Sequence, residues 1–350
     1  MTDAALTPQL DELDRLFIDE LARDGRVTSS DLAALAGVSK ATAASRVRRL
    51  IEEEVVRVTA VFDMVAAGFP WQTNCFISST DGDVGRIATE LAKLSSTVLV
   101  VSVLGGSDVM VSSIFADKAD MEQLFLEQLP SVAGVGRIEC DVVVKPLWFE
   151  PLAYNLQAGA ADGPFDTDVE LSPNTSVIEL DDLDRSLMRM LRLDGRRSNR
   201  RIARDLDVSE GTIRTRIRRL QEADLMRIVG IPNSRTLGQT GCVLWMRVHL
   251  DSVGPSAVAT ALSAIPAVTS ATAIMGGANL NVMAVADDRP QIRDVVNAVR
   301  VIPGVVAVEH YESIRTLFYR SYFARIPGRS VRESGEHWAV DRPASTQTAS

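Results

Sequence analysis

The chain has 350 residues, 46% of them hydrophobic and 24% charged, which is the balance of a globular protein of more than one domain. Its net charge of −9 excludes a surface that is basic throughout, so a nucleic-acid face has to come from a local concentration of Lys and Arg. The opening MTDAALTPQLDELDR lacks the basic start and apolar run of a signal peptide, and no apolar stretch approaches the roughly 18 residues that span a bilayer; a cytoplasmic protein without membrane attachment is expected.

Taken in order, residues 1–63 hold two strings that matter, LDELDRLFIDELARDGR (10–26) and VSKATAASRVRRLIEEEVVR (38–57). Along the second, Val38, Val47 and Leu50 fall on a core face, and Lys40, Ala41, Thr42, Ala44, Ser45 and Arg48 are left outside. Residues 57–63 are Val-rich and predict a strand leading out. Residues 64–152 then predict strand 73–79, helix 84–94, strand 98–104, a Gly105-Gly106 turn, strand 109–115, helix 119–129 and strand 134–144. Residues 153–179, rich in Gly, Ala, Asp, Pro and Ser, read as a solvated linker.

The second half repeats the first. LDDLDRSLMRMLRLDGR (180–196) and VSEGTIRTRIRRLQEADLMR (208–227) return at an offset of about 170 residues, and over 48 aligned positions about 19 are identical. In residues 180–233, Leu183, Leu187, Met190 and Leu191 share one helical face, Gly195 stops that helix, and Ser198 and Ser209 are N-caps of two more. Residues 234–326 predict strand 242–250, helix 255–265, strand 268–274, a Gly276-Gly277 turn, strand 280–286, helix 290–301 and strand 305–316. Residues 327–350 are polar and without periodicity, a disordered tail. The fold class expected is therefore α+β: two winged-helix-type helix-turn-helix domains, and two ferredoxin-like β-α-β-β-α-β units, each with a sheet face that needs a partner.

A short helix, a turn and a third helix with small and basic residues outside is the geometry that enters a major groove. The DNA-binding candidates are Lys40, Thr42, Ser45 and Arg48 in the first copy and Arg197, Arg200, Arg201, Thr212, Arg214, Thr215 and Arg218 in the second. Between residues 196 and 219 about nine Arg face three acids, against about five basic residues and one acid over 26–50, so the second copy is expected to carry most of the DNA affinity.

The D-G-R, V-S and R-[VI]-R-R-L positions in both halves make these segments resemble the DNA-binding domain of the leucine-responsive / AsnC (feast/famine) regulators, and the αβ units resemble that family's amino-acid-metabolism regulatory domain. The resemblance implies a ligand-responsive transcription regulator in tandem-duplicated form, not an enzyme. It implies double-stranded DNA and an amino-acid or small-metabolite effector as partners, homo-oligomerisation through the αβ domains, and no cofactor. It also places the effector at the turn between the second and third strands, here Gly105, Gly106, Ser107 and Asp108, with Gly276, Gly277 and Asn279 in the second copy. Asp can pair with an ammonium group where Asn cannot, so the first turn is the preferred one.

Two other readings stay open: a siroheme-decarboxylase-like enzyme on the same fold, and a sensor that pairs with family members without binding DNA. Of the three histidines, His249 and His310 fall in predicted strands as structural residues and His337 in the tail. Cys75, Cys140 and Cys242 form no metal-ligand spacing, so reduced thiols and no metal site are expected.

Overall fold

The computed structural model describes residues 10–149, 178–232, 242–286, 288–319 and 323–324; the predicted tail and all but the last two residues of the predicted linker lie outside them. The first half opens with α1 (Glu12–Arg23), α2 (Ser29–Ala36), α3 (Lys40–Glu52) and strand β1 (Val56–Asp63). It continues with β2 (Trp71–Ser79), α4 (Val84–Ala92), β3 (Thr97–Leu104) and β4 (Val109–Phe115). Helix α5 (Lys118–Gln123) runs through a π turn at Leu124–Gln128 into a last turn at Leu129–Ser131, before β5 (Val135–Phe149). The second half repeats this as α6 (Asp182–Leu193), α7 (Asn199–Asp205), α8 (Glu210–Glu222), β6 (Met226–Pro232), β7 (Cys242–Leu250), α9 (Pro255–Ser263), β8 (Val268–Met275), β9 (Leu280–Ala286), α10 (Arg289–Arg300) and β10 (Val305–Tyr319).

The two helix-turn-helix units are joined rather than strung apart. Strands β1 and β6 pair antiparallel from Val56 opposite Pro232 to Phe62 opposite Met226, and the two-residue strand β11 (Phe323–Ala324) lies parallel to β1. Each Asp-Gly-Arg motif locks onto this ribbon. The Gly25 amide donates to the Ile228 carbonyl at 2.9 Å and the Gly195 amide to Val58 at 3.0 Å. A Cβ on Gly25 would lie 2.6 Å from Val58 Cγ1, and one on Gly195 would lie 2.9 Å from Ile228 Cγ2, so only glycine allows this approach. The arginines cross over: Arg26 donates to the carbonyls of Gly195 and Arg197 and to Asn199 Oδ1, all at 2.8 Å, while Arg196 donates to Gly25 at 2.8 Å and Val27 at 3.3 Å. Burial draws both guanidiniums below their usual pKa.

The αβ units form one closed eight-stranded barrel in the order β3-β4-β2-β5-β8-β9-β7-β10. Within each half the order is that of a ferredoxin-like sheet. The last strand of each half then pairs with the second strand of the other, β5 with β8 and β10 with β3. The helices cover the outer face over two apolar cores, around Ile77, Ile87, Leu91, Val111 and Phe115 in one half and Leu244, Val248, Leu262, Val282 and Val299 in the other. Alternate residues of the same strands, among them Phe76, Met110, Arg247 and Tyr311, point inside the barrel. The inner apolar residues of the first half are continuous, through Met64, Ala66 and Phe69, with the core of both helix-turn-helix units. Both naked sheet faces are thus covered within one chain. Strands β5 and β10 outrun their expected ends because their last residues bond across the seam, as far as Phe149 opposite Ser270 and Tyr319 opposite Leu99.

The expectation of reduced thiols throughout is corrected. Cys75 and Cys140 lie directly opposite one another on β2 and β5 and form a disulfide, with Cα atoms 4.1 Å apart. Residues 65 positions apart in sequence become neighbours through strand register, which cysteine spacing does not reveal. Cys242 is the free cysteine among the described residues, and burial raises its thiol pKa. Peptide mapping of unreduced protein should recover the Cys75 and Cys140 peptides joined, with slow alkylation confined to Cys242; separate peptides alkylated at both positions would contradict the pairing.

Candidate nucleic-acid interface and effector turns

Both candidate recognition helices start at a serine. Ser39 Oγ accepts from the Thr42 amide and Ser209 Oγ from the Thr212 amide, each at 3.0 Å, a cap of about 1 kcal/mol that also ties the Thr hydroxyl 2.8 Å from the serine. The turn before each helix needs a left-handed residue, supplied by Gly37 (φ 65°) in the first copy and Asp207 (φ 54°) in the second; Asp is one of the few side chains that tolerates it.

The arginine-rich runs divide by face. Arg46 and Arg49 turn inward to Asp14, the buried capping-box residue of α1, and Arg216 and Arg219 turn to Asp184, its counterpart in α6. Arg46 Nη1 stands 3.0 Å from Asp14 Oδ1, and Arg216 Nη1 stands 2.9 Å from Asp184 Oδ2. Bonds to Asp11 and Asp14 raise the Arg46 pKa, as bonding to Asp181 raises that of Arg216. These four fasten the recognition helix to the first helix, which is why the motif R-[VI]-R-R-L carries three arginines of which only the middle one, Arg48 or Arg218, is exposed.

Of the expected DNA-facing residues, Lys40, Thr42, Ser45, Arg48, Arg200, Arg201, Arg214, Thr215 and Arg218 are exposed, and Thr212 is half-buried beneath the cap. Arg214 sits in a loose i,i+4 pair with Glu210 at 3.3 Å. Arg197 is placed differently: its guanidinium bonds to Asp205, holding that carboxyl below the usual range, and its carbonyl receives Arg26. Arg204, 75% exposed, joins the outward set. The local basic block of the second copy is therefore smaller than its composition, because Arg196, Arg197, Arg216 and Arg219 have intramolecular partners. Arg200, Arg201, Arg204, Arg214 and Arg218 still stand against Lys40 and Arg48 in the first.

At the two glycine turns, the candidate effector sites, the two copies are built alike. Asp108 Oδ2 accepts the Ser79 amide at 2.7 Å, and Asn279 Oδ1 accepts the Leu250 amide at 2.8 Å. Both side chains pin their turn to the neighbouring strand, so the charge of Asp108 is directed at a backbone N–H. Ser107 is buried, and a Cβ on Gly105 would lie 2.7 Å from the His310 carbonyl, while one on Gly277 would lie 2.3 Å from Arg247. The copies differ at a residue that sequence inspection missed: Arg137 Nη2 donates to the Gly106 carbonyl at 3.1 Å, and the residue in the matching place on β10 is Ala307.

Comparison with known proteins finds the AsnC-type helix-turn-helix domain at residues 10–51 and again at 180–221. A helix-turn-helix transcriptional regulator of Pyrococcus abyssi is 29% identical over 136 residues, covering 39% of this chain and 86% of the relative. The regulator AldR of Mycobacterium tuberculosis is 28% identical over 143 residues, covering 40% and 80%. Among solved structures, the siroheme decarboxylase NirDL matches 92% of this chain and 98% of its own at a TM-score of 0.61 and 12% identity, a likeness of fold.

The unequal outward charge generates a ranking. Arg214→Ala/Arg218→Ala should weaken binding to a duplex operator by about tenfold or more for each base-edge hydrogen bond removed, and flatten its salt dependence by about one unit of slope for each phosphate no longer neutralised. Lys40→Ala/Arg48→Ala should cost less in the same fluorescence-anisotropy titration; the reverse order would refute the ranking. Asp184→Ala should instead act on stability, by about 2 kcal/mol, through removal of a cap and a buried carboxylate.

Proposed function

We propose that this chain, a tandem-duplicated member of the leucine-responsive / AsnC family, is a sequence-specific transcription regulator that binds double-stranded DNA through α3 and α8. The observation that carries this reading is the sorting of arginines just described: in each copy the inward pair holds the helix and the outward residues are left for solvent or phosphate. The reciprocal Arg26 and Arg196 bonds fix the two helix-turn-helix units as one pseudo-twofold body, which suits two half-sites on one duplex. Because the second unit adds Arg200, Arg201 and Arg204 on α7 to Arg214 and Arg218 on α8, the half-sites are unequal, the stronger under the second copy. Homo-oligomers would form through the outer surface of the αβ domains, since the barrel itself is closed within one chain.

The effector site belongs to this proposal. An amino acid or another small metabolite bearing a carboxylate would meet the glycine turns, and the first turn is favoured by the neighbouring Arg137 guanidinium rather than by Asp108. In a thermal-shift screen of the common amino acids, any stabilising ligand should bind at least about tenfold more weakly to Arg137→Ala, as expected when a charge-assisted hydrogen bond is removed, and almost unchanged to Ala307→Ser. Equal weakening would remove the preference for the first turn.

The likeness to NirDL over nearly the whole chain supports one competing reading, a tetrapyrrole-binding decarboxylase. The described histidines do not converge: His249 Nε2 lies 3.0 Å from Glu309, and His310 is exposed on the strand's other face. Titration with an iron-uroporphyrin and a mobility-shift assay on genomic fragments separate the two. The expected result is salt-dependent DNA binding with no change in the Soret band. A Soret shift at stoichiometric ligand without DNA binding would reverse the assignment.

A further inference from the structure

The pseudo-twofold that relates the two halves of the barrel is broken at its centre. Phe76 on β2 lies opposite Met110 and Glu139, and Arg247 on β7 lies opposite Asn281 and Glu309, so the two occupy the same place in their respective halves. Asp141, opposite Asn74, and Tyr311, opposite Trp245, are likewise equivalent. Across the interior a residue at the first of these places meets one at the second place from the other half. At one crossing Phe76 stacks on Tyr311, ring centroids 4.4 Å apart. At the other, Arg247 grips Asp141 with two bonds, Nε to Oδ2 at 2.8 Å and Nη2 to Oδ1 at 3.1 Å, both side chains fully buried. Arg247 Nη1 also reaches Glu139 at 2.5 Å and Glu309 at 2.8 Å, its guanidinium carbon lies 5.4 Å from the Phe76 centroid, and Tyr311 donates to Glu309 at 3.2 Å.

We propose that this inner cluster selects which αβ modules pair: the first with the second, and neither with its like. Suppose the first module met a second copy of itself. Phe76 would then face Asp141 at both crossings, and two buried Asp141 side chains would be left without Arg247, while each Glu139 kept only the exposed Arg137 of its own module, 3.1 Å away. A second module paired with itself would set Arg247 against Tyr311 twice, each arginine keeping Glu309 but deprived of Asp141 and Glu139. Only the unlike pairing gives a single Arg247 its carboxylates and a single Phe76 its aromatic partner. A buried carboxylate left without its cation is disfavoured by about 10²-fold or more.

The other bonds between the halves discriminate only weakly. Thr59 donates to the Arg192 carbonyl at 2.6 Å and Ser102 to that of Arg315 at 3.3 Å, with Val229 and Ala273 in the matching places. The loss of a neutral donor to a carbonyl costs far less than a buried charge left unpaired. The helix-turn-helix units hold one another through Arg26 and Arg196, which bond mainly to backbone carbonyls that both copies possess. The barrel seams are main-chain ladders of the same kind on both sides. Identity is therefore read at the inner crossings, and the partner this surface fits is the other half of this chain or of another copy of it, not a protein carrying one such module of the first type.

The test uses the folded full-length protein with a protease site introduced between residues 150 and 177, cut after purification so that the linker no longer favours one pairing. The cut protein is unfolded in urea, refolded with both halves present, and analysed by native mass spectrometry, where the two like pairs and the unlike pair differ in mass. The wild type should give the unlike pair in at least about 100-fold excess over either like pair. The variant Arg247→Phe/Asp141→Tyr, which turns the second crossing into a copy of the first, should re-pair nearly at random and populate all three species. Random pairing in the wild type, or unlike-only pairing in the double variant, would overturn the proposal. So would a double variant that re-pairs with nothing, because the crossing would then be needed to form the barrel at all.

Discussion

Each half of this chain is unfinished. A four-stranded ferredoxin-like sheet leaves two edges with unpaired N–H and C=O groups and one face with no helices on it, and an exposed edge or face of that kind is prone to unwanted association. The other half closes all of these openings together. β5 takes β8, β10 takes β3, and the bare faces meet inside the barrel. Strands β1 and β6 solve the same problem for the helix-turn-helix units, since each is the other's partner in a ribbon neither could form alone. The rest of the architecture follows from this mutual completion. Two outward-facing helices are held in a fixed relation because the units behind them share a core, and that core runs on through Met64 to Phe69 into the barrel interior.

Charge is used in two ways in the same helix. On α8, Arg216 and Arg219 sit one helical face away from Arg218, and the difference in direction decides their role. The inward pair compensates the buried Asp184, where an unpaired carboxylate would be strongly disfavoured, and the outward residue keeps its hydration until something anionic displaces it. Net charge says nothing about this. A protein at −9 can present a locally positive face because Arg200, Arg201, Arg204, Arg214 and Arg218 are gathered within one unit and exposed there.

The elements themselves are legible in the sequence, since hydrophobic period, Ser and Asp caps and paired glycines act locally. The repeat gives each of these signals twice, and strands such as Val109–Phe115 and Leu280–Ala286 fall where the apolar runs after the paired glycines place them. What escapes is every property created by the second half arriving beside the first. The Asp-Gly-Arg motif serves as a family mark, but its arginine is a clasp between halves. Arg197 reads as an outward donor because Asp205, eight residues on, is not a helical neighbour by simple spacing. Asp108 reads as a ligand for an ammonium group, yet its position against the Ser79 amide gives it the same work as Asn279. The Cys75–Cys140 disulfide depends on strand register, and the Arg247 cluster on which residues of two sheets face one another across a barrel; neither is a local pattern.

The reach of these closures along the chain has a consequence for biosynthesis. The clasp joins residues 171 positions apart, and the seam that carries Ser102 against Arg315 joins residues 213 apart. A ribosome therefore releases the whole first half, with β1, β3 and β5 lacking their outer neighbours, well before those neighbours exist. Pairings so distant are slow to form and leave strand edges open to other nascent chains in the meantime. The lifetime of that half-made state, rather than the stability of the finished barrel, sets how much of this protein reaches its native form when translation is slowed or the chain is produced in excess.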